Sequence, residues 1–277
     1  MNTLAVAHAA AATALAQLLP ARRGVAWQPG PAAFPVHPDA PTTRLTQHDR
    51  TLIVAEHQGA IEVWAGEPQT VFCRPAAVVD ASTPDAVAVL AAEVLRSVLP
   101  ALDNEAARYT GPNHDHKQVV RAKERALIEL GYLLRDLGAA DLAGRQHIDG
   151  PGLHWKTSEG AEWDVLSLGY QGTFTVAYNG PISGLHGLLP YLLRPTPGDG
   201  HTDTGSAFTR HLGARFPQLA PVDAHEVDFG RIDTPGGYIA LPSLDVCPDH
   251  ADDSTRVASQ IAHVGIDLLL AAASALV

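Results

Sequence analysis

Lysine is nearly missing from this chain. Lys117, Lys123 and Lys156 are its only three, and the remaining basic charge is arginine. Cysteine is almost as scarce: Cys73 and Cys247 stand far apart, and no C-x-x-C pair occurs. A structural zinc site built on thiolates and a disulfide framework are therefore both excluded. Two reduced thiols in a reducing compartment are the expectation. Aromatics make up only 6% of the residues, so the core should be aliphatic, built from Ala, Leu and Val. Specific chemical signatures are absent too. There is no G-x-S-x-G elbow, no G-x-x-x-x-G-K-[ST] loop, no strand-linked G-x-G-x-x-G and no H-E-x-x-H.

Leader and membrane signals are also lacking. Thr3–Leu19 is apolar and Ala-rich, but Arg22 and Arg23 follow it, whereas a secretory leader carries its positive charge in front. The run Ile261–Val277 contains His263 and Asp267 and is too short to span a bilayer. A cytoplasmic location without a membrane partner is expected, with the final run forming a buried helix that needs neighbours on several sides.

What is present is a chain of 277 residues with 46% hydrophobic and 18% charged residues, enough for a sizeable core. The net charge of −11 repels phosphate backbones and disfavours nucleic acid as a general partner. The acid is concentrated: Asp223–Asp253 holds eight carboxylates and one Arg, whereas Arg108–Arg145 is mildly basic. These two regions could meet within one molecule or between copies.

The punctuation predicts an α+β fold made of repeated helix–antiparallel β-meander–helix units, two clear and a third shorter. The first unit, residues 1–110, opens with a helix over Asn2–Leu19. A Pro-rich extended segment (Pro29, Pro31, Pro35, Pro38, Pro41) follows. Strands are predicted at Arg44–Gln47, Thr51–Glu56, Ile61–Ala65 and Thr70–Cys73. A helix capped by Ser82 or Thr83 then buries Val87, Leu90, Ala91, Val94, Leu95 and Val98 and stops at Pro100. The second unit, residues 111–197, has a long helix over His116–Leu137. Its apolar face comprises Val119, Ala126, Leu127, Leu130, Leu133, Leu134 and Leu137. After a break near Gly144–Gly152 come strands at Leu153–Thr157, Trp163–Leu168 and Thr173–Tyr178, then a helix over Ser183–Leu193. Thr51–Pro68 aligns without a gap on Asp164–Pro181, placing Gln58-Gly59 on Gln171-Gly172, Val63 on Val176 and Pro68 on Pro181. The third unit, residues 198–277, either packed with the second or separate from it, should hold a helix over Ser206–Phe216, a hairpin of Ala224–Phe229 with Tyr238–Leu241, and a final helix capped by Asp253-Ser254. Arg194–Gly200 and Gly111-Pro112-Asn113 are the expected joints.

Several clusters could carry chemistry. His114 and His116, spaced i and i+2, can face one side of an extended segment and ligate a metal, with either His201 and Asp203 or Asp249, His250 and Asp252 completing the site. A simpler account has Asn113 or Asp115 capping the long helix and the histidines solvated. Ser183-Gly184 and Gly205-Ser206 are better explained as loop or cap positions than as nucleophiles. Gly198, Gly200 and Gly205 could hold an anion before a helix, but a linker explains them more simply. Lys117, Arg121 and Arg125 recur every four residues on one side of the long helix and could face phosphates or an acidic partner. Glu124 and Glu129 dilute that stripe, and an exposed helix face is the ordinary explanation. Trp64, Trp155, Trp163, Tyr170 and Tyr178 all fall in the predicted meanders. Trp64 and Tyr170 are the candidates for an exposed binding surface.

The reading that gathers most of these observations is a non-catalytic interaction or assembly protein. Its sheets and final helix would bind protein, either a second copy or another chain, and no cofactor is expected. A metal-dependent hydrolase using His114 and His116 is the alternative. A nucleic-acid binder using Lys117, Arg121 and Arg125 is the second.

Overall fold

The computed structural model describes residues 3–66, 74–108, 116–147, 150–167, 171–194, 205–230, 234–243 and 245–277. The fold is α+β, with helices and two antiparallel sheets. The chain divides into two compact units, Met1–Glu105 and Ala106–Val277.

In the first unit a helix, α1 (Thr3–Leu18), precedes five strands: β1 (Gln28–Pro31), β2 (Thr42–Gln47), β3 (Arg50–His57), β4 (Ala60–Ala65) and β5 (Ala77–Asp80). They form a meander in chain order. β1 lies in the Pro-rich segment and, among the described residues, pairs with β2 alone, an edge place that suits prolines without a backbone N–H. β3 and β4 turn at Gln58-Gly59, whose φ angles of 50° and 81° suit a tight hairpin. The expected strand Thr70–Cys73 lies outside the described residues. Ala12, Leu15, Ala16 and Leu19 are buried at helical spacing, and α1 packs on β2 and β3. The opposite face of β3 and β4 is partly covered by residues 32–41, where the His37 ring stacks on His57.

Two helical expectations change here. The helix α2 (Ala86–Glu93) has Asp85 as its N-cap, in the left-handed region and with no side-chain cap bond. Ser82 instead bonds the Asp80 carboxylate through its N–H and hydroxyl. Nor does Pro100 stop the helix. A π-turn over Val94–Val98 precedes it, with the Leu99 N–H bonded to the Val94 carbonyl, and α3 (Leu99–Arg108) continues. Pro100 lacks the N–H that would bond the Arg96 carbonyl, and the wider turn absorbs that missing link.

The second unit is organised around one eight-stranded sheet. A long helix, α4 (His116–Asp136), leads into β6 (Ala140–His147), β7 (Gly150–Lys156), β8 (Glu162–Ser167) and β9 (Phe174–Pro181). A 3₁₀ turn over Ile182–Leu185, the short α5 (Leu189–Leu192) and α6 (Ala207–Arg215) follow. The remaining strands are β10 (Ala220–Pro221), β11 (Glu226–Phe229), β12 (Gly236–Ala240) and β13 (Arg256–Val264), before the final α7 (Ile266–Ala271). Their order is β10-β11-β12-β13-β9-β8-β7-β6. The segments expected as a second and a third unit therefore share one sheet, joined where β13 pairs with both β12 and β9.

Three expectations fail in this unit. Arg256–Val264 is a strand and not the start of a helix; Val257, Ser259 and Ile261 alternate inward with period two. The final apolar run is correspondingly short, and Ile266, Leu268 and Leu269 are buried within the unit, so this segment offers no outward face. Gly144 lies inside β6, where a break was expected. Ser183–Leu193 is not one helix but the 3₁₀ turn and α5, separated by His186–Leu188.

Cross-strand registry explains the layering. One row runs Trp155, Trp163, Tyr178, Ser259, Ile239 and Val227 across six strands, and every member but Ser259 is an apolar or aromatic side chain. The neighbouring row runs His154, Asp164, Ala177, Gln260, Tyr238 and Asp228 on the opposite face. α4 packs on β7 and α7 packs on α4. The Trp155 indole N–H donates to the Leu276 carbonyl at 2.7 Å, tying the C-terminal segment to the apolar face. The other face is polar.

The two hairpins that align in sequence are paired differently. Val63 sits opposite Val54, whereas Val176 sits opposite Val165, two positions away from the aligned Ser167. β3 and β4 join through two residues, but β8 and β9 are six residues apart. Both units contain antiparallel meanders, yet the matched Val63 and Val176 do not mark equivalent pairings, and Pro68 lies outside the described residues.

Candidate functional site

The long helix α4 buries Ala126, Leu127, Leu130 and Leu134. Leu137, expected on this face, is 43% exposed at the helix end. On the outer side Arg121 and Arg125 are exposed, as the four-residue spacing implies. The stripe does not stop there. Ile128 and Tyr132 continue it at 57% and 61% exposure, and Arg135 is exposed beyond them. Arg135 holds its guanidinium 5.7 Å from the centre of the Tyr132 ring. Glu124 lies half-buried alongside.

β6 sits next to this stripe and is the outermost strand of the sheet. Among the described residues no strand pairs with its outer side, and most of its residues are exposed. A groove of about 500 Å³ lies between α4 and the β6–β7 edge. Glu124, Ile128, Tyr132 and Arg135 form its helical wall, and Leu142 and Gly144 line the strand side. A Cβ added at Gly144 would meet nothing within 4 Å, so the groove is open there. The opposite edge of the sheet is different: β10 has only two residues, one of them Pro221. That blunts it against pairing, while β6 carries no proline.

Polar clusters lie elsewhere. His37 Nε2 is 2.6 Å from Glu62 Oε2, and its ring meets Trp64 edge-on at 6.1 Å. His154 Nδ1 and Arg145 both approach Asp164, at 3.1 and 3.0 Å. Asp253 lies 2.9 Å from His211 and 3.5 Å from His186. Burial, reinforced by Arg215, holds His186 below the usual histidine range. Each cluster pairs histidine with a carboxylate. No described serine or cysteine side chain joins one to complete a nucleophilic arrangement. No three His, Cys, Asp or Glu side chains among the described residues gather to hold a metal.

Of the residues singled out in the sequence, His114, His201, Asp203 and Tyr170 lie outside the described residues. His116 and Lys117 open α4. Trp64 is buried at 7% and so presents no ring to solvent, and Trp155, Trp163 and Tyr178 are buried with it in their own units. Sequence reasoning found Arg121 and Arg125 but missed Glu124, Ile128, Tyr132 and Arg135 as parts of the same surface. The available signal was spacing: 121, 125, 128, 132 and 135 advance by three or four residues throughout.

No family model matches the chain, and searches of curated proteins and of solved structures found no match either. No described helix is long and apolar enough to cross a membrane.

Proposed function

We propose that this chain is a non-catalytic interaction protein that binds another protein chain through the α4–β6 surface. One observation carries the reading: a sheet edge free of proline lies beside an exposed apolar pair, Ile128 and Tyr132, over an open groove. Exposed aromatic and aliphatic side chains beside unpaired strand groups are what a protein partner covers. The buried final segment is not part of this surface, so the reading rests on α4 and β6 alone. The exposed thiol of Cys247 agrees with a reducing, cytoplasmic setting.

A photoreactive residue placed at Ile128 in cells tests this. A discrete protein adduct is expected there and not from the same group at exposed Val222, which follows β10. The adduct should disappear in a Tyr132→Glu background. Equal labelling from both positions, no protein adduct, or a nucleic-acid adduct through Arg121 and Arg125 would overturn the reading.

A further inference from the structure

We infer that His186 is a proton-operated latch that keeps α6 docked at neutral pH and frees it in acid. The device uses no residue of the α4–β6 surface and stands whether or not that surface binds protein. Three segments meet at one carboxylate oxygen, Asp253 Oδ1. His211 Nε2 reaches it from α6 at 2.9 Å, and His186 Nε2, from the turn after β9, lies 3.5 Å away. The two attachments differ. The His186 turn and the Asp253 segment are tied through their backbones: the Ser183 N–H donates to the Asp253 carbonyl at 3.0 Å and the Ile182 N–H to the Thr255 carbonyl at 2.9 Å. α6 meets this junction through the His211 side chain. At its other end the Phe208 N–H donates to the Pro248 carbonyl and the Ser206 hydroxyl to the Ala224 carbonyl. Its nine residues are too few to stay helical unaided in water, so α6 depends on what holds it.

His186 Nε2 is buried and makes no hydrogen bond, which leaves the Asp253 oxygen to His211. A proton on His186 changes this in two ways. It gives Asp253 a second cation, on the segment to which its backbone is already tied, in competition with His211. It also sets a charge against Arg215 and His211, and both of these ride on α6. One carboxylate then faces three cations, and both effects drive α6 away from the junction. Burial first, and Arg215 next, hold the ring below the ordinary 6.5, with Asp253 acting against them. The docked state therefore binds fewer protons at this ring than a state that returns it to water. The stability linked to it is full above 6.5 and is lost as pH falls through the lower docked value. Freed, α6 uncovers Phe208 and Leu212, both buried, with Phe216 at its end.

Hydrogen exchange on the intact chain tests this at about pH 7.5 and about pH 5, after correction for the intrinsic effect of pH. Amides of α6 should exchange about five-fold or more faster in acid, while those of α4 keep their protection. His186→Phe keeps a ring and removes the titration, so its α6 should stay protected at both values. Arg215→Gln removes a repelling charge and should shrink the acid effect. By NMR the wild-type His186 ring should titrate below 6.5, and Arg215→Gln should move that midpoint up. An α6 whose exchange ignores pH overturns the inference, as does a His186 ring that titrates at 6.5 or above. So does an equal acid effect on α4 and α6, which would mean that the whole unit opens. A His186→Phe chain that keeps the full acid effect, or is open at both values, removes the His186 proton as the cause. Should that variant fail to fold, the wild-type titration and Arg215→Gln decide the matter without it.

Discussion

Lys123 is 4% exposed on α4, and burial pushes its ammonium down to about 8 from an ordinary 10.5. Between those two values the unfolded chain binds more protons than the folded one. The stability linked to this side chain therefore rises as pH climbs from about 8 to 10.5 and is lowest below 8. The full shift corresponds to about 3 kcal/mol as an upper bound. Lys123→Met should lose this slope. Urea midpoints at pH 7 and pH 10 read the effect directly: wild type gains stability between them and the variant gains less. Equal slopes in the two proteins would remove Lys123 as the cause.

Gly237 shows how closely two neighbouring elements approach. A Cβ at this position of β12 would lie 1.9 Å from the Gln260 carbonyl oxygen on β13. Gly237→Ala must push the strands apart and is expected to cost about 2–3 kcal/mol or more, read as a lower thermal midpoint. A variant with an unchanged midpoint would show that the strands separate at little cost. Legibility at this scale followed burial. β3, β4, β8 and β9 were readable because their apolar residues are bounded by turns. β6 was not, because its residues are mostly exposed and give no inward–outward pattern; its pairing with β7 makes it a strand. β13 was misread because Val257, Ser259 and Ile261 alternate only weakly among alanines and run into the apolar Ile266–Leu270. Pro100 misled because a π-turn can carry a helix past a proline. The candidate surface was half legible. Spacing revealed the cationic stripe, but only packing decides that Ile128 and Tyr132 stay outside while Leu127 and Leu130 go in.

At the scale of the whole chain, each unit has its own sheet and buried side chains, and the division falls after Glu105. Residues 106–277 expressed alone should retain the packed Trp155–Trp163 pair, whose rings lie 6.1 Å apart and nearly parallel. A near-ultraviolet circular dichroism signal that melts cooperatively is the expected result, and its absence would show that the sheet depends on residues 1–105. The acidic stretch Asp223–Asp253 and the cationic α4 stripe belong to this same unit, with β11 and β6 near opposite edges of its sheet.

The place of β13 has a consequence for the order of events during synthesis. It is the last strand of the sheet to be made, yet it sits between β12 and β9. Until it emerges, β6–β9 and β10–β12 are two half-sheets with facing raw edges. The nascent chain thus carries one sticky border, on β9, once residue 181 is made and a second, on β12, once residue 240 is made, until β13 is complete at residue 264, and any other strand nearby competes to fill the gap. The strand joins the halves by displacing those competitors, so a slow stretch of translation just before residue 256 would lengthen the window for misassembly.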